Sequence, residues 1–161
     1  MAARTTSQRR PPFRRKRNLS LGAGLVARTW IRKGTVVHSW AGCRILPRPT
    51  YQSVQIGLKA HAHDPACLNL LNHSCEPNLR VDIARRTVVA MRDIETGELL
   101  TIFYPATEWD MARPFRCHCG SRRCIGWVRG ARRLPPARLQ GHPLSRHIRV
   151  LLRRSRAGAW A

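Results

Sequence analysis

Three cysteines in the last third of the chain have the spacing of a metal site. Cys117, Cys119 and Cys124 form a C-x-C-x4-C pattern on a short segment that also contains Gly120. Three thiolates so close together suit a tetrahedral metal ion and leave its fourth coordination position to another residue. Ordinary buried or free cysteines are the alternative, because a free cysteine packs well as a small hydrophobic residue.

A second group of polar residues lies about forty positions earlier, where residues 71–78 read LNHSCEPN. The polar residues 72–74 directly follow an apolar run, and Pro77 ends any regular structure there. Cys75 can supply the fourth thiolate if the fold brings the two segments together. The alternative is that this segment forms a plain polar turn.

The pattern N-H-S-C-x-P-N at residues 72–78 resembles the signature of the SET-domain protein lysine methyltransferases, and residues 117–124 resemble their post-SET zinc segment. Tyr104 lies between the two motifs, and the resemblance extends over residues 19–134. It implies the mainly β SET-domain fold, with several short curved sheets, short helices, a knot-like C-terminal segment and a zinc-bound post-SET loop. The implied ligands of a structural zinc ion are Cys75, Cys117, Cys119 and Cys124.

The resemblance also implies a methyl donor, S-adenosylmethionine, and assigns residues to it. Tyr104 ends the pattern G-E-L-L-T-x-x-Y at residues 97–104 and matches the catalytic tyrosine of the family. The implied cofactor-binding residues are Gly22, Gly24, Leu25, Asn72, His73 and Trp127. The implied channel for the substrate lysine is formed by Trp40, Ile102, Phe103 and Phe115.

The chain departs from the family pattern at three positions near this channel. Trp40 stands where an early-strand tyrosine is common, and Ile102 stands where a Phe or Tyr usually tunes how many methyl groups are added. Asn69 replaces an arginine that usually precedes the N-H-S-C motif. A pre-SET cysteine cluster is absent from the sequence. These differences predict an atypical lysine channel in a small SET protein.

The charge of the chain is strongly basic and unevenly distributed. It has 161 residues with 30 Lys and Arg against eight Asp and Glu, a net charge of +22. All eight acidic residues lie between Asp64 and Asp110. This asymmetry favours contact with nucleic acid or an acidic protein through the basic ends, while solvated tails or a general arginine bias are the alternatives. No apolar run reaches the ~20 residues of a membrane span, so we expect no membrane contact.

Four regions follow from composition and resemblance. We expect a disordered basic tail at residues 1–18, a SET domain at 19–112, a post-SET zinc segment at 113–134 and a basic extension at 135–161. The extension has a helical stripe of apolar residues, which predicts an amphipathic helix over residues 145–154 that docks on its own domain. The other local predictions are a hairpin made by residues 79–83 and 87–91, and a short helix that begins at Thr107.

The function implied by the resemblance is methyl transfer from S-adenosylmethionine to a lysine side chain of a histone or another protein. The alternative is a catalytically inactive, zinc-stapled basic module that binds nucleic acid or an acidic protein. We expect a monomer whose partner is a protein that presents a lysine. Cysteines in a metal-type spacing indicate a reducing compartment, so we expect an intracellular protein, nuclear in a eukaryote and cytoplasmic in a bacterium.

Overall fold

The structure is a computed structural model that describes residues 10–19 and 22–156. These residues are mainly β, with twelve short strands, three single turns of 3₁₀-helix and two α-helices. The fold class predicted from the sequence is therefore confirmed. The strands are β1 Phe13–Leu19, β2 Gly22–Ala27, β3 Val36–Ser39, β4 Arg44–Leu46, β5 Val54–Gln55, β6 His61–His63, β7 Asn72–His73, β8 Leu79–Asp82, β9 Thr87–Ala90, β10 Thr101–Ile102, β11 Phe115–Arg116 and β12 Trp127–Val128. The helices are α1 Pro136–Leu139 and α2 Arg146–Arg156, and the 3₁₀ turns are Leu68–Leu70, Tyr104–Ala106 and Ala131–Arg133.

The strands form five small sheets within the described residues. Two of the sheets have three strands, in the orders β3-β9-β8 and β4-β6-β5. The other three are the pairs β1-β2, β7-β10 and β11-β12. The predicted hairpin is present as β8 and β9, which pair antiparallel from Leu79–Ala90 to Asp82–Thr87. A fold made of such short strands depends on side chains to fix where the strands meet.

The N-terminal segment corrects one expectation. Residues 13–18 are not a disordered tail, because they belong to β1, which pairs antiparallel with β2 in the register Phe13–Ala27 to Leu19–Gly22. Phe13 is buried in the core, while the basic residues 14–17 are exposed. One buried aromatic side chain and a ladder of backbone hydrogen bonds thus order a strand whose composition is that of a tail. Residues 1–9 of the predicted tail lie outside the described residues.

Strands β7 and β10 bring the two predicted catalytic segments side by side. They pair in parallel, with Asn72 opposite Thr101 and His73 opposite Ile102. Asn78, which is fully buried, holds this arrangement by donating from Nδ2 to the Leu99 carbonyl at 2.8 Å and accepting at Oδ1 from the Thr101 N–H at 2.9 Å. The buried amide therefore satisfies backbone groups of the segment that leads into β10.

Two hydrophobic clusters form the interior. The larger, here called the sheet core, contains Leu25, Leu68, Leu71, Leu100 and Ile102 among its buried members. The smaller, here called the cysteine core, contains Cys75, Phe103, Cys117, Val128 and Ile148. Tyr104 packs against both clusters. The predicted catalytic tyrosine thus lies at the boundary between the two halves of the structure.

The C-terminal extension docks on its own domain, as predicted. In α2, Ile148 and Leu151 are buried, while its arginines are exposed. The Nε2 atom of His147 lies 2.7 Å from the Thr107 carbonyl oxygen, and the Ser145 N–H donates to the Ala106 carbonyl at 2.9 Å. The extension therefore braces the segment that follows Tyr104. Neither helix of the described chain is long and apolar enough to cross a bilayer.

The prediction of a short helix that begins at Thr107 is wrong. A 3₁₀ turn covers Tyr104–Ala106, and the residues after it follow an irregular path. Their backbone groups bond to distant segments: the Trp109 N–H donates to Oε1 of Gln55 at 2.8 Å, and the Glu108 carbonyl accepts from the Ala131 N–H at 2.8 Å. Tertiary hydrogen bonds have replaced the local bonds that a helix would need.

Replacing Ile148 with alanine tests the docking of α2. Removing a fully buried isoleucine should lower the free energy of unfolding by about 2–5 kcal/mol, because the loss of apolar burial adds to the cost of a cavity. Urea unfolding measures the change. The exposed neighbour Arg149, replaced with alanine, serves as the control and should change the stability much less. Equal losses in the two variants would contradict the docking.

Candidate active site

The four predicted metal-ligand cysteines lie together. Their four Sγ atoms all lie within 4.8 Å of one another, and those of Cys75 and Cys117 are 3.9 Å apart. The four residues are Cys75, Cys117, Cys119 and Cys124. A zinc ion with Zn–S bonds of about 2.3 Å at the centre of a tetrahedron requires sulfur atoms about 3.8 Å apart. The spacing and the donor set therefore fit a tetrahedral zinc ion with no open position.

The surroundings of the cluster favour thiolates at some positions and oppose them at others. Burial raises the pKa of Cys75, and burial also raises the pKa of Cys117, to about 11. Burial acts in the same direction on Cys119, but the backbone N–H groups of Cys75 and Ser121 outweigh it and lower the pKa of Cys119 to about 7. A cation among the four sulfurs would supply the missing stabilisation, since a bound metal ion deprotonates its thiols.

His73 connects the cysteines to Tyr104. Its Nδ1 accepts a hydrogen bond from the Tyr104 N–H at 3.2 Å, which places the ring proton on Nε2, 3.3 Å from the Cys75 Sγ. Burial lowers the pKa of His73 to about 4, so the ring is neutral at pH 7. Both ring nitrogens are used inside the protein. The ring of this predicted cofactor-binding residue therefore acts as a buried brace.

A hydrogen bond and ring contacts fix the position of Tyr104, and its hydroxyl group is protonated. Its O–H donates to the Leu71 carbonyl at 2.7 Å, and its ring meets the rings of His73 and Phe115 edge to face at 5.3 and 5.9 Å between centroids. Burial, helped by the charge of Glu108, raises the pKa of Tyr104, so the phenol stays protonated. The hydroxyl oxygen keeps its lone pairs available beside the donated bond.

A pocket opens directly beside this tyrosine. Its lining combines the buried apolar side chains Leu68, Leu71 and Ile102 with residues of the segment that runs from Pro49 to Val54. Ile102 therefore lies where the resemblance predicts it, at the wall of a narrow site beside Tyr104. An apolar wall next to a polar hydroxyl suits a flexible chain that ends in an amine.

The predicted cofactor-binding residues of β2 lie beside the N-H-S-C motif. The Nδ2 group of Asn72 donates to the carbonyl of Ala23, between Gly22 and Gly24, at 3.3 Å. Gly22 has a φ of 93°, a conformation that glycine adopts without strain, while the Leu25 side chain is buried in the sheet core. The backbone at 22–24 and the side chain of Asn72 thus form one continuous surface.

Two predicted aromatic residues come from the two paired strands that flank the cysteine loop. Phe115 lies on β11 and contacts Tyr104, whereas Trp127 lies on β12 and is 46% exposed. The guanidinium carbon of Arg129 stands 5.0 Å from the centre of the Trp127 ring. Phe115 is therefore part of the tyrosine site, and Trp127 is a partly exposed indole on the neighbouring strand.

The two other predicted channel residues lie elsewhere, which corrects the sequence-based expectation. Trp40 is buried in the sheet core, and its Nε1–H has no hydrogen-bond partner among the described residues. Phe103 belongs to the cysteine core, where its ring stacks on His142 with centroids 3.7 Å apart. Neither side chain lines the pocket beside Tyr104. Neighbouring residues of an extended segment point to opposite sides, so Phe103 faces away from the wall that Ile102 forms.

One charged residue of the candidate site, Glu108, was not predicted from the sequence. Glu108 is 8% exposed and lines the same pocket as Tyr104 and Ile102. Burial raises its pKa to about 7, although hydrogen bonds from Gln55 and Thr107 favour the charged form. Its place shortly after the conspicuous tyrosine was the one available signal, because burial of a carboxylate leaves no pattern in the sequence.

Short sheets around a tyrosine pocket, closed by a four-cysteine loop, define a SET-type methyltransferase scaffold. The model of the SET domain family matches residues 22–105 of this chain. The chain belongs to the SET domain family.

Three similar proteins illustrate the relationship. The chain is 40% identical over 108 residues to methyltransferase flvH of Aspergillus flavus, a match that covers 66% of this chain and 61% of flvH. It is 43% identical over 65 residues to a histone-lysine N-methyltransferase, H3 lysine-4 specific, of Emericella nidulans, covering 36% of this chain and 5% of that protein. A crystal structure of KRYPTONITE in complex with mCHH DNA, H3(1-15) peptide and SAH superposes with a TM-score of 0.56 at 25% identity. This structural match covers 76% of the present chain and 31% of KRYPTONITE. The chain thus spans less than two thirds of each of these relatives.

Removing one cysteine of the cluster tests the metal site. The chain purified with zinc should contain one zinc ion per molecule, and Cys119→Ser should lose it and unfold at a lower temperature, because three thiolates hold zinc less tightly than four. Metal analysis and thermal unfolding measure both effects. Cys43→Ser, a change outside the cluster, is the matched control and should keep the zinc. Full zinc content in Cys119→Ser would contradict the assignment.

Proposed function

We propose that the chain transfers a methyl group from S-adenosylmethionine to the side-chain amine of a lysine in a protein. The observation that supports this most strongly is the fixed hydroxyl of Tyr104 at the wall of an apolar pocket, beside the Asn72–His73 strand. Family membership and the methyltransferase relatives add to it. KRYPTONITE, the structural neighbour, was crystallised with SAH and a histone peptide.

The pocket residues prepare the amine for attack. A free lysine has a pKa near ~10.4, so the ammonium must lose a proton before its nitrogen becomes a nucleophile. Leu68, Leu71 and Ile102 give the pocket an apolar wall, and surroundings of low polarity favour the neutral amine. Tyr104 offers its hydroxyl oxygen to orient that amine. Positioning of this kind lowers the barrier of a transfer reaction by ~7–11 kcal/mol at most.

We assign the methyl donor to the backbone at residues 22–24, the Asn72 side chain and the exposed indole of Trp127. S-adenosylmethionine supplies an electrophilic methyl group on a sulfonium. The backbone at 22–24 allows close approach of a ligand, Asn72 offers a side-chain amide, and the exposed indole of Trp127 offers a face for a purine ring. His73 acts from behind this surface by holding the backbone of Tyr104.

Zinc has a structural role in this proposal. Cys75, Cys117, Cys119 and Cys124 fill a tetrahedral ion completely, which leaves no position for a substrate. Because Cys75 belongs to the N-H-S-C motif, the ion ties the methyl-donor surface to the loop that carries Phe115 and Trp127. Loss of zinc releases that loop and weakens the binding of the methyl donor.

The partner of the enzyme is a protein that presents a lysine to the pocket. The five exposed arginines of α2 and the basic residues 14–17 of β1 attract an acidic protein or a nucleic acid. These exposed basic faces also support the second candidate function, a basic module without catalytic activity that binds such a polyanion. We propose an intracellular location, because a cluster of zinc thiolates persists in a reducing compartment.

Radioactive methyl transfer with Tyr104→Phe tests the function. Wild type incubated with tritiated S-adenosylmethionine should label a protein in a panel of core histones and whole-cell lysate. Tyr104→Phe should lower the rate by about 10²-fold, because one positioned polar group is lost from the site. Ser39→Ala, which removes an exposed hydroxyl outside the pocket, should keep full activity.

Two results separate the candidates. Label that disappears with Tyr104→Phe, in a variant that still melts as one cooperative unit, supports the enzyme and identifies its substrate. A zinc-loaded wild type that binds no S-adenosylmethionine and retains a labelled oligonucleotide or polyglutamate supports the basic module.

A further inference from the structure

Glu108 is a buried carboxylate at the site where the proposed substrate amine arrives. Only 8% of its surface is exposed, and it shares the pocket with Tyr104, Leu71 and Ile102. The apolar neighbours make this an unfavourable place for a lone negative charge. A buried carboxylate in a pocket therefore calls for a physical explanation.

Among the described residues, only one of the two carboxylate oxygens of Glu108 accepts hydrogen bonds. Its Oε1 accepts from the Gln55 N–H at 2.8 Å and from the Thr107 hydroxyl at 3.3 Å. Within the described part of the chain, Oε2 accepts no hydrogen bond, and Glu108 forms no ion pair. One oxygen fastens the residue, and the other remains available to a cation or a proton donor.

The groups packed around Glu108 do not neutralise it. Tyr104, on the same segment, is protonated and donates its hydroxyl hydrogen to Leu71. His147 of α2 and His61 of β6, next to the strand of Gln55, both have a pKa lowered by burial and are uncharged at pH 7. Arg113 lies at the rim, where its guanidinium stands over the ring of Tyr51. The pocket therefore carries an acidic group without a matching cation.

We propose that Glu108 binds the ammonium group of the substrate and takes one proton from it before the methyl group moves. This inference rests on the proposed function and names the group that receives the proton. Desolvation supports the step, because a dry pocket favours a neutral amine and a neutral carboxyl over an ion pair. The raised pKa of Glu108, about 7, acts in the same direction.

A proton transfer precedes the methyl transfer. An N–H bond of the ammonium breaks, its electron pair stays on nitrogen, and an O–H bond forms on the free carboxylate oxygen. The nitrogen lone pair then forms a bond to the methyl carbon, the carbon–sulfur bond breaks, and its electrons remain on sulfur as S-adenosylhomocysteine. The product leaves as a methylated ammonium, and Glu108 returns its proton to water when the pocket opens.

Glu108→Gln separates this role from a structural one. The amide oxygen of glutamine can still accept from Gln55 and Thr107, so the local hydrogen bonds are kept. The charge and the proton acceptor are lost. Glu95→Gln, on an exposed turn, is the matched control.

The pH dependence of kcat/KM is the decisive rate measurement. In wild type, kcat/KM should rise up to about pH 7 and then stay flat, because the ammonium brings the proton that Glu108 accepts. The Glu108→Gln variant can react only with an amine that is already neutral. Its kcat/KM should therefore be about 10²–10⁴-fold lower at pH 7. The deficit should shrink about tenfold with each further pH unit. A loss of the same size at every pH would overturn the proposal.

A second measurement needs no catalysis. Carboxyl ¹³C NMR of the zinc-loaded chain should show one glutamate that titrates near pH 7 and is missing in Glu108→Gln. Butylammonium chloride, which carries the four-carbon amine of lysine, should shift that signal, and n-butanol should not. No shift with butylammonium overturns the proposal. A wild type that shows the shift yet transfers no methyl group to any acceptor overturns the proposed function and leaves the cation site standing.

Discussion

Cys75 belongs to the buried cysteine core, and the rest of the site depends on its position. Three cysteines more than forty positions later in the chain gather within 4.8 Å of its sulfur. Four thiols this close in a buried cluster are unfavourable as thiolates without a cation. The same spacing offers a zinc ion four ligands. In the proposed enzyme, the surface for the methyl donor and the strands that carry Phe115 and Trp127 form together.

The path from this cluster to the reacting groups is short. His73 spans it, with one ring nitrogen at the Cys75 sulfur and the other at the Tyr104 N–H. Asn78 then fixes the strand that ends at the tyrosine, and His147 braces the segment after it. A neutral, fully bonded histidine is suited to this task because it transmits position without introducing charge. The position of Tyr104 is thus set by the packing around it.

Sequence patterns predicted most of the site and little of its surroundings. The four cysteines, Tyr104 and Asn72 could be identified because their types and spacing match motifs that specify chemistry directly. Trp40 was misplaced because apolar composition does not reveal whether an aromatic ring faces a core or a channel. Phe13 was missed because one buried side chain orders a basic strand against its composition. Glu108 could not be found, since its importance comes from burial that only the tertiary structure creates.

We propose that the zinc cluster and the N-H-S-C strand together build one binding surface for the methyl donor. Isothermal titration calorimetry with S-adenosylhomocysteine, on zinc-loaded and zinc-stripped chain, tests it most directly. We predict one binding site per zinc-loaded molecule and a loss of binding after a chelator removes the ion, with binding restored when zinc is added back. A folded, zinc-loaded chain that shows no binding, or equal binding with and without zinc, would contradict the account.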